Sequence, residues 1–394
     1  MNILIARSMG VSTFGAFSIA FGVYVIFQNL SRALTSEPLV IRYSQVESQK
    51  WSLGTGQAAG TAVIIGSAGG IACLAAAWLL SGELAIALLG MGLVLPGVLL
   101  QDLWRYAFFA SGRGSLALMS DLIWAILMFP AFLIILAGQD PSLLIVVAAW
   151  GVSATIAGVI ASLVGGVFPS ILGIRIWITN HRDLTKNFMG EMATTSIAGQ
   201  VSLLGIGGVA GLSAVGAYRA AQVIFGPLRI VYQGLSLFGV PEGVRFLKES
   251  AGRLRRTALV TATLLALMSL FYGMFLILLP ETWGLFLLKD AWAATEPLIV
   301  PFALGMTGLG ITMAALIGLR ALEAAKQSFQ TRLVIASGDL VATVLGATVG
   351  GALGAAWAGR TVAFLGSGLW WKVFLGQLRR RGKLEDQADE HRRL

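Results

Sequence analysis

Residues 211–246 read GLSAVGAYRAAQVIFGPLRIVYQGLSLFGVPEGVRF, and residues 10–43, GVSTFGAFSIAFGVYVIFQNLSRALTSEPLVIRY, follow the same order of features. At an offset of 201, Gly10/Gly211, Ser12/Ser213, Gly15/Gly216, Ala16/Ala217 and Ala20/Ala221 coincide, and Phe17/Tyr218 and Tyr24/Phe225 are aromatic partners. After a two-residue slip, Pro38/Pro241, Ile41/Val244, Arg42/Arg245 and Tyr43/Phe246 continue at an offset of 203. Identities alone carry little weight in a chain with 49 glycines. The shared succession of turn, long apolar helix, proline and arginine carries more, and it points to an internal duplication.

On a helix at about 100° per residue, Arg219, Gln222, Gly226, Arg229 and Gln233 fall within one sector of about 80°. This is a polar stripe on an otherwise apolar helix. In the first copy the corresponding positions include Ser18, Gln28 and Arg32, with Asn29 and Ser36 beside them.

Of the 394 residues, 57% are hydrophobic and 12% charged, against the roughly one-quarter charged residues of ordinary soluble domains. Apolar runs repeatedly reach the ~20 residues that a helix needs to cross the bilayer, so the fold class is an all-α membrane protein. Cys73 is the one cysteine and sits in an apolar run, which excludes an intramolecular disulfide. The net charge of +9 resides mostly in short loops between spans. Topology explains that placement, so no nucleic-acid partner follows from it.

Spans are predicted over about 14–36, 57–80, 84–109, 115–137, 142–166, 190–210, 213–240, 256–279, 295–319, 328–348 and 350–377. Residues 1–9 add a stump of ~14 Å at 1.5 Å per residue, about half a crossing. The expectation is about 12 transmembrane helices, the first truncated, in two pseudo-symmetric six-helix lobes. The N-terminal lobe covers 1–168, a connector 169–189, the C-terminal lobe 190–377 and a basic tail 378–394. One set of loops holds Arg42, Lys50, Arg113, Arg175, Arg182, Lys248, Arg253, Arg255, Arg256 and Lys326, whereas the opposite set holds only Lys289. By the positive-inside rule the basic loops and the C-terminus are cytoplasmic. The ILGIRIWITN section of the connector is expected along the membrane surface.

Six helices per half place the copies in the same orientation, as parallel repeats about an axis along the membrane normal. Trp104-Arg105 against Leu319-Arg320, and Ser120-Asp121-Leu122 against Gly338-Asp339-Leu340, extend the echo. Two such lobes with a cleft between them are the plan of a transporter.

ARSMGVSTFGAFSIAF, LSRALTSEPLVIRYS and LWRYAFFASGRGSLALMSDL, with LPETWGLFLLKDAWAATEPLIVPFALG later, resemble the polysaccharide and O-antigen (lipid-linked oligosaccharide) exporters of the multidrug/oligosaccharidyl-lipid/polysaccharide exporter superfamily. The resemblance spans nearly the whole chain and marks the superfamily better than the substrate. It implies a MATE-like, V-shaped two-lobe fold, alternating access, and a cavity lined by the first two helices of each half. It also implies that the first helix starts upstream of Met1, so that an in-frame extension of about ten to twenty apolar residues would complete it.

Within that frame Arg219 and Arg229, with Gln222, Gln233, Gln28 and Arg32, are the candidate cavity residues. An arginine within a span costs roughly 2.5–3.5 kcal/mol on insertion scales and by default marks a site. A guanidinium fork matches the oxygens of a pyrophosphate. The competing reading has Arg219 and Arg32 snorkelling to the interfaces and Arg229 pairing structurally. Glu191 is a candidate for ion coupling or, at a helix start, a dipole partner. Asp121 and Asp339 have the same dipole reading, and Glu37 and Glu242 flank the prolines where the helices end or kink. Trp78, Trp150, Trp283, Trp370 and Trp371 read as interfacial anchors.

His181 and His391 lack metal-ligand spacing, and the SGRG and GIGG clusters lack a strand-loop-helix setting, so neither a cofactor nor an enzyme is expected. The leading expectation is a flippase in the bacterial cytoplasmic membrane. It would move a polyprenyl-pyrophosphate-linked oligosaccharide, with membrane lipids and glycan assembly enzymes as its other partners. The alternatives are a cation-coupled multidrug exporter, a membrane glycosyltransferase or polymerase, and a non-transporting scaffold.

Overall fold

The computed structural model describes residues 2–44, 47–137, 142–185, 189 and 198–393, and the regular structure among them is helical. The order begins with α1 (Asn2–Ser8), α2 (Val11–Ser31), a π-helical turn (Arg32–Ser36), α3 (Glu37–Tyr43), α4 (Ser48–Leu79) and α5 (Gly82–Ala110). It continues with α6 (Gly114–Ala137), α7 (Leu143–Gly165), α8 (Ile174–Asn180), α9 (Ala198–Ile224) and α10 (Gly226–Glu249). It ends with α11 (Ala251–Ile277), α12 (Glu281–Leu288), α13 (Ala291–Thr295), a 3-10 turn, α14 (Ile299–Ala321) and α15 (Ala325–Arg393).

Among the described residues, nine helical stretches are long and apolar enough to cross a membrane. Two of them contain a glycine break and so supply two limbs each. In α9 the break is Gly211, at φ 81° and ψ 174°, in the positive-φ half of the map that side chains with a Cβ avoid. Gly10, its counterpart in the first copy, separates α1 from α2 at φ −56° and ψ 160°. The two copies are therefore interrupted at the same glycine. In α15 the break is Gly350–Gly351, with Gly351 at φ 56°. Every expected span has its helix, the sixth being described only from Ala198.

The chain divides into two compact units, Ile3–Leu204 and Gly205–Leu394. In the first, α5 is the central helix, packed on α2, α4, α6 and α7. Glycines let α4 and α5 approach: a Cβ on Gly70 would lie 2.5 Å from the Gly92 carbonyl oxygen, and one on Gly66 2.6 Å from Pro96 Cα. Both obstacles are backbone, which does not swing aside. We predict that Gly70→Leu lowers the thermal unfolding midpoint in detergent, by the roughly 1–3 kcal/mol that overpacking costs. Gly208→Ala, where nothing lies within 4 Å, should leave it unchanged, and equal midpoints for both variants would contradict the packing.

Tryptophans anchor this unit internally. Trp104 donates to Ser162 Oγ at 2.8 Å and Trp51 to the Ala107 carbonyl at 3.2 Å. The expectation that Trp150 and Trp370 are interfacial is corrected: their exposures are 3% and 5%. Trp150 instead packs edge-on against Tyr24, centroids 4.9 Å apart, and its carbonyl accepts from Trp124. Trp78 and Trp283 are exposed, at 86% and 60%.

Pro38 does not end the first span, which continues to Tyr43. A proline lacks the N–H that would bond the carbonyl four residues earlier, here Leu34 within the π-helical turn. That carbonyl accepts from Trp177 Nε1 at 2.8 Å, across 143 residues of sequence. Trp177 is fully buried, and His181 stacks on it at 3.9 Å and donates from Nδ1 to the Trp177 carbonyl. Burial holds the His181 imidazole below its usual pKa. Arg42 reaches the Asn180 carbonyl and Asp183, so the start of the connector is clasped to α3. Its outward side remains apolar, with Ile171, Leu172 and Ile176 exposed, as a surface-lying segment requires.

In the second unit α14 packs on α10, α11 and α15. Tyr232 binds Ser269 and the carbonyls of Leu265 and Met306, tying α10 to α11 and α14. The two limbs of α15 meet at glycines, since a Cβ on Gly346 would lie 2.3 Å from the Gly354 carbonyl oxygen.

Candidate functional site

The polar stripe lies on the unpacked side of its helices. On the second limb of α9, Val215, Ala217, Tyr218, Ala220 and Ala221 are buried, whereas Arg219 and Gln222 are half-buried. On α10, Leu228 and Tyr232 are buried, whereas Arg229 and Gln233 are exposed. One expectation is corrected here: the helix is not continuous from 213 to 240. Phe225, at φ −80° and ψ 4°, interrupts it, and Pro227 starts α10, because a proline fits the first turn of a new helix but not the interior of an old one. The single 80° sector thus becomes two short polar faces, one on each limb.

Arg219 donates to Gln222 Oε1 at 2.9 Å, one turn along the same limb. Arg229 lies within electrostatic range of both Arg219 and Arg360 and repels both. Arg360 is held on its other side: its NH2 donates to Tyr218 Oη at 3.0 Å and to Asp339 Oδ1 at 3.3 Å, and its guanidinium lies 5.5 Å from the Phe302 ring centroid. Asp339 was expected near a helix start. It stands in mid-helix because α15 begins at Ala325, well beyond the first turn where a helix dipole acts. Its role is that of a counter-ion to Arg360. Three guanidiniums set against the Asp339 carboxylate leave this part of the unit positive.

The first unit carries a different, balanced network. Asp102, with 4% of its side chain exposed, takes a bidentate pair from Arg32, Nε to Oδ2 at 2.7 Å and NH2 to Oδ1 at 2.6 Å. Gln28 donates to the same carboxylate at 3.1 Å. Arg105 approaches it at 3.7 Å and pairs with Asp121 at 2.9 Å, and Gln101 donates to Asp121 at 3.0 Å. Arg32 also lies 5.4 Å from the Tyr106 ring centroid. Arg32 and Gln28 are thus brought together, but upon Asp102 rather than with open space. Asp121 is a partner of Arg105, not a dipole partner of its helix start. Glu191 lies outside the described residues.

Sequence reasoning missed Asp102 and Arg360. Asp102 sits in LLQDLWRYA three residues before Arg105, and Arg360 is the one charge in GAAWAGRTVAF. The rule that singled out Arg219 and Arg229, that charge inside a span marks a site or a pair, applies equally to both. They are visible as soon as every span is searched rather than the duplicated stretch alone.

No protein-family model matches the chain, and no curated protein matches it. Solved structures do. An inward-facing multidrug-resistance MATE family transporter of the MOP superfamily aligns over 98% of this chain and 94% of its own, with TM-score 0.73 and 11% identity. The lipid II flippase MurJ in an inward closed conformation aligns over 96% and 86%, with TM-score 0.67 and 12% identity. A MOP superfamily transporter from Pyrococcus furiosus, described as having a binding pocket of reverse polarity that suggests a different function, aligns over 98% and 91% at TM-score 0.58 and 12% identity. The chain is a multi-pass membrane protein with the all-helical fold that MATE transporters share with the lipid II flippase MurJ.

Proposed function

We propose that this protein is a flippase that moves a polyprenyl-pyrophosphate-linked oligosaccharide across the bacterial cytoplasmic membrane by alternating access, for cell-surface polysaccharide assembly. The observation that carries this reading is the face formed by Arg219, Gln222, Arg229 and Gln233, with Arg360 in electrostatic range. Charged side chains within spans face water or protein rather than lipid. An arginine face that is partly exposed on helices of membrane-spanning length is suited to an anion, and guanidinium is the side chain whose donors match paired phosphate oxygens. The sugar crosses beside this face while the lipid tail remains in the bilayer.

A cation-coupled multidrug exporter has the same fold. It needs an acidic face, and the mid-span carboxylate of this unit, Asp339, is engaged by Arg360. That one fold hosts pockets of different polarity accords with the description of the P. furiosus transporter.

The test is ligand-dependent stabilisation of the purified protein, because a ligand of the folded state raises the unfolding temperature with its concentration. Polyprenyl pyrophosphate should stabilise most, polyprenyl monophosphate less, and neutral polyprenol and tetraphenylphosphonium not at all. Stabilisation by tetraphenylphosphonium alone would transfer the assignment to the drug exporter.

The Arg/Lys asymmetry supports a cytoplasmic connector and C-terminal tail. Leu172, at 95% exposure, and Thr282, also exposed, are suitable for single cysteines in a Cys73-free background. In intact cells an impermeant thiol reagent should label Thr282→Cys and spare Leu172→Cys. Labelling of both would overturn the orientation.

A further inference from the structure

The two limbs of α15 form a second cationic feature. A groove of about 510 Å³ lies between the start of the first limb and the end of the second. Lys326 enters from the first limb, and Lys372 and Arg380 from the second. Gln330 and Gln377 add neutral donors, and no acidic residue lines the groove among the described residues. All three cationic side chains are exposed, and none forms an ion pair or hydrogen bond with another described residue. That is unlike Arg253 of another basic groove, which pairs with Glu249.

The depth of the groove is set by its own helix. Leu365, at 67% exposure, lies one turn before Leu369, which lines the groove with Val373. Trp371, beside them, donates to the Ile311 carbonyl at 3.1 Å. Going along the limb, the surface passes from exposed apolar to aromatic to cationic, the sequence of a membrane-water boundary. A ligand here meets apolar side chains on one side and three cations on the other.

We propose that this groove is a binding site for the headgroup of an anionic phospholipid of the phosphatidylglycerol type. The phosphate lies among Lys326, Lys372 and Arg380, the glycerol hydroxyls meet Gln330 and Gln377, and the acyl chains lie along Leu369 and Val373. The site is independent of the transported substrate and does not depend on which leaflet it faces. A general attraction of basic loops to anionic membranes is delocalised, whereas this groove converges cations from two limbs upon one volume.

Native mass spectrometry of the full chain in detergent tests it, with phosphatidylglycerol and phosphatidylcholine of identical acyl chains. The wild type should retain phosphatidylglycerol and release phosphatidylcholine. Lys326→Gln/Lys372→Gln should weaken that retention roughly thirtyfold, given the contribution of each cation near a membrane surface. Arg253→Gln/Arg256→Gln, in the other basic groove, should leave it unchanged. These side chains are exposed, so unfolding midpoints should match and separate lost binding from lost folding. Equal weakening by both double variants would reduce the effect to bulk charge and overturn the proposal. So would full displacement of the lipid by millimolar inorganic phosphate, which would make the ligand a free anion.

Discussion

Asp102→Leu should nearly abolish accumulation of the protein in the membrane. The substitution leaves the half-buried Arg32 guanidinium without its bidentate carboxylate and removes a second contact of Arg105. Stranding one member of a buried pair costs roughly 3–5 kcal/mol, a large share of the 5–15 kcal/mol by which ordinary domains are stable. Removing both members restores neutrality, and such replacements are often close to neutral in stability. Arg32→Met with Asp102→Leu should therefore recover most of the abundance that Asp102→Leu loses, as read by immunoblot of membranes and by unfolding midpoint. If Asp102→Leu accumulates normally, the network is not what holds α2 to α5.

The largest functional effect is expected at Arg229. Arg229→Gln should reduce surface display of the glycan about tenfold or more, since a charge-assisted contact contributes roughly 1.5–3 kcal/mol. Abundance should stay normal, because this side chain is exposed and its removal relieves an insertion cost. Arg229→Lys keeps the charge but not the planar fork, and should retain an intermediate level. Display and abundance must be measured in the same cells. Normal display at normal abundance would remove Arg229 from the mechanism, and loss of both would make it a structural residue.

That contrast between two arginines of one duplicated motif shows where sequence stops informing. The spans were legible because a bilayer demands long apolar runs, and the break at Gly211 because its positive φ suits a residue without a side chain. The polar stripe was legible as a period. What the stripe faces was not. Arg32 and Arg229 have similar local surroundings, yet Arg32 meets Asp102 across 70 residues while Arg229 meets no carboxylate among the described residues. The same limit hid Trp177. Pro38 announces a vacant carbonyl on Leu34, but nothing local says that an indole 143 residues away supplies the missing donor. Trp150 likewise sits near a helix start, as an anchor would, and only packing against Tyr24 makes it core.

The Gly350–Gly351 turn also bears on how the chain reaches the membrane during synthesis. Asp339 and Arg360 stand on either side of it, 21 residues apart, and the limbs touch at Gly346 and Gly354. Each charge presented alone to the hydrocarbon costs roughly 2.5–3.5 kcal/mol on insertion scales. Folded over the two glycines, the limbs form a helical hairpin in which the Asp339 carboxylate and the Arg360 guanidinium meet. Inserted as a hairpin, the two limbs would present the hydrocarbon with an ion pair in place of two separate ions, and so lower the cost that each charge carries alone.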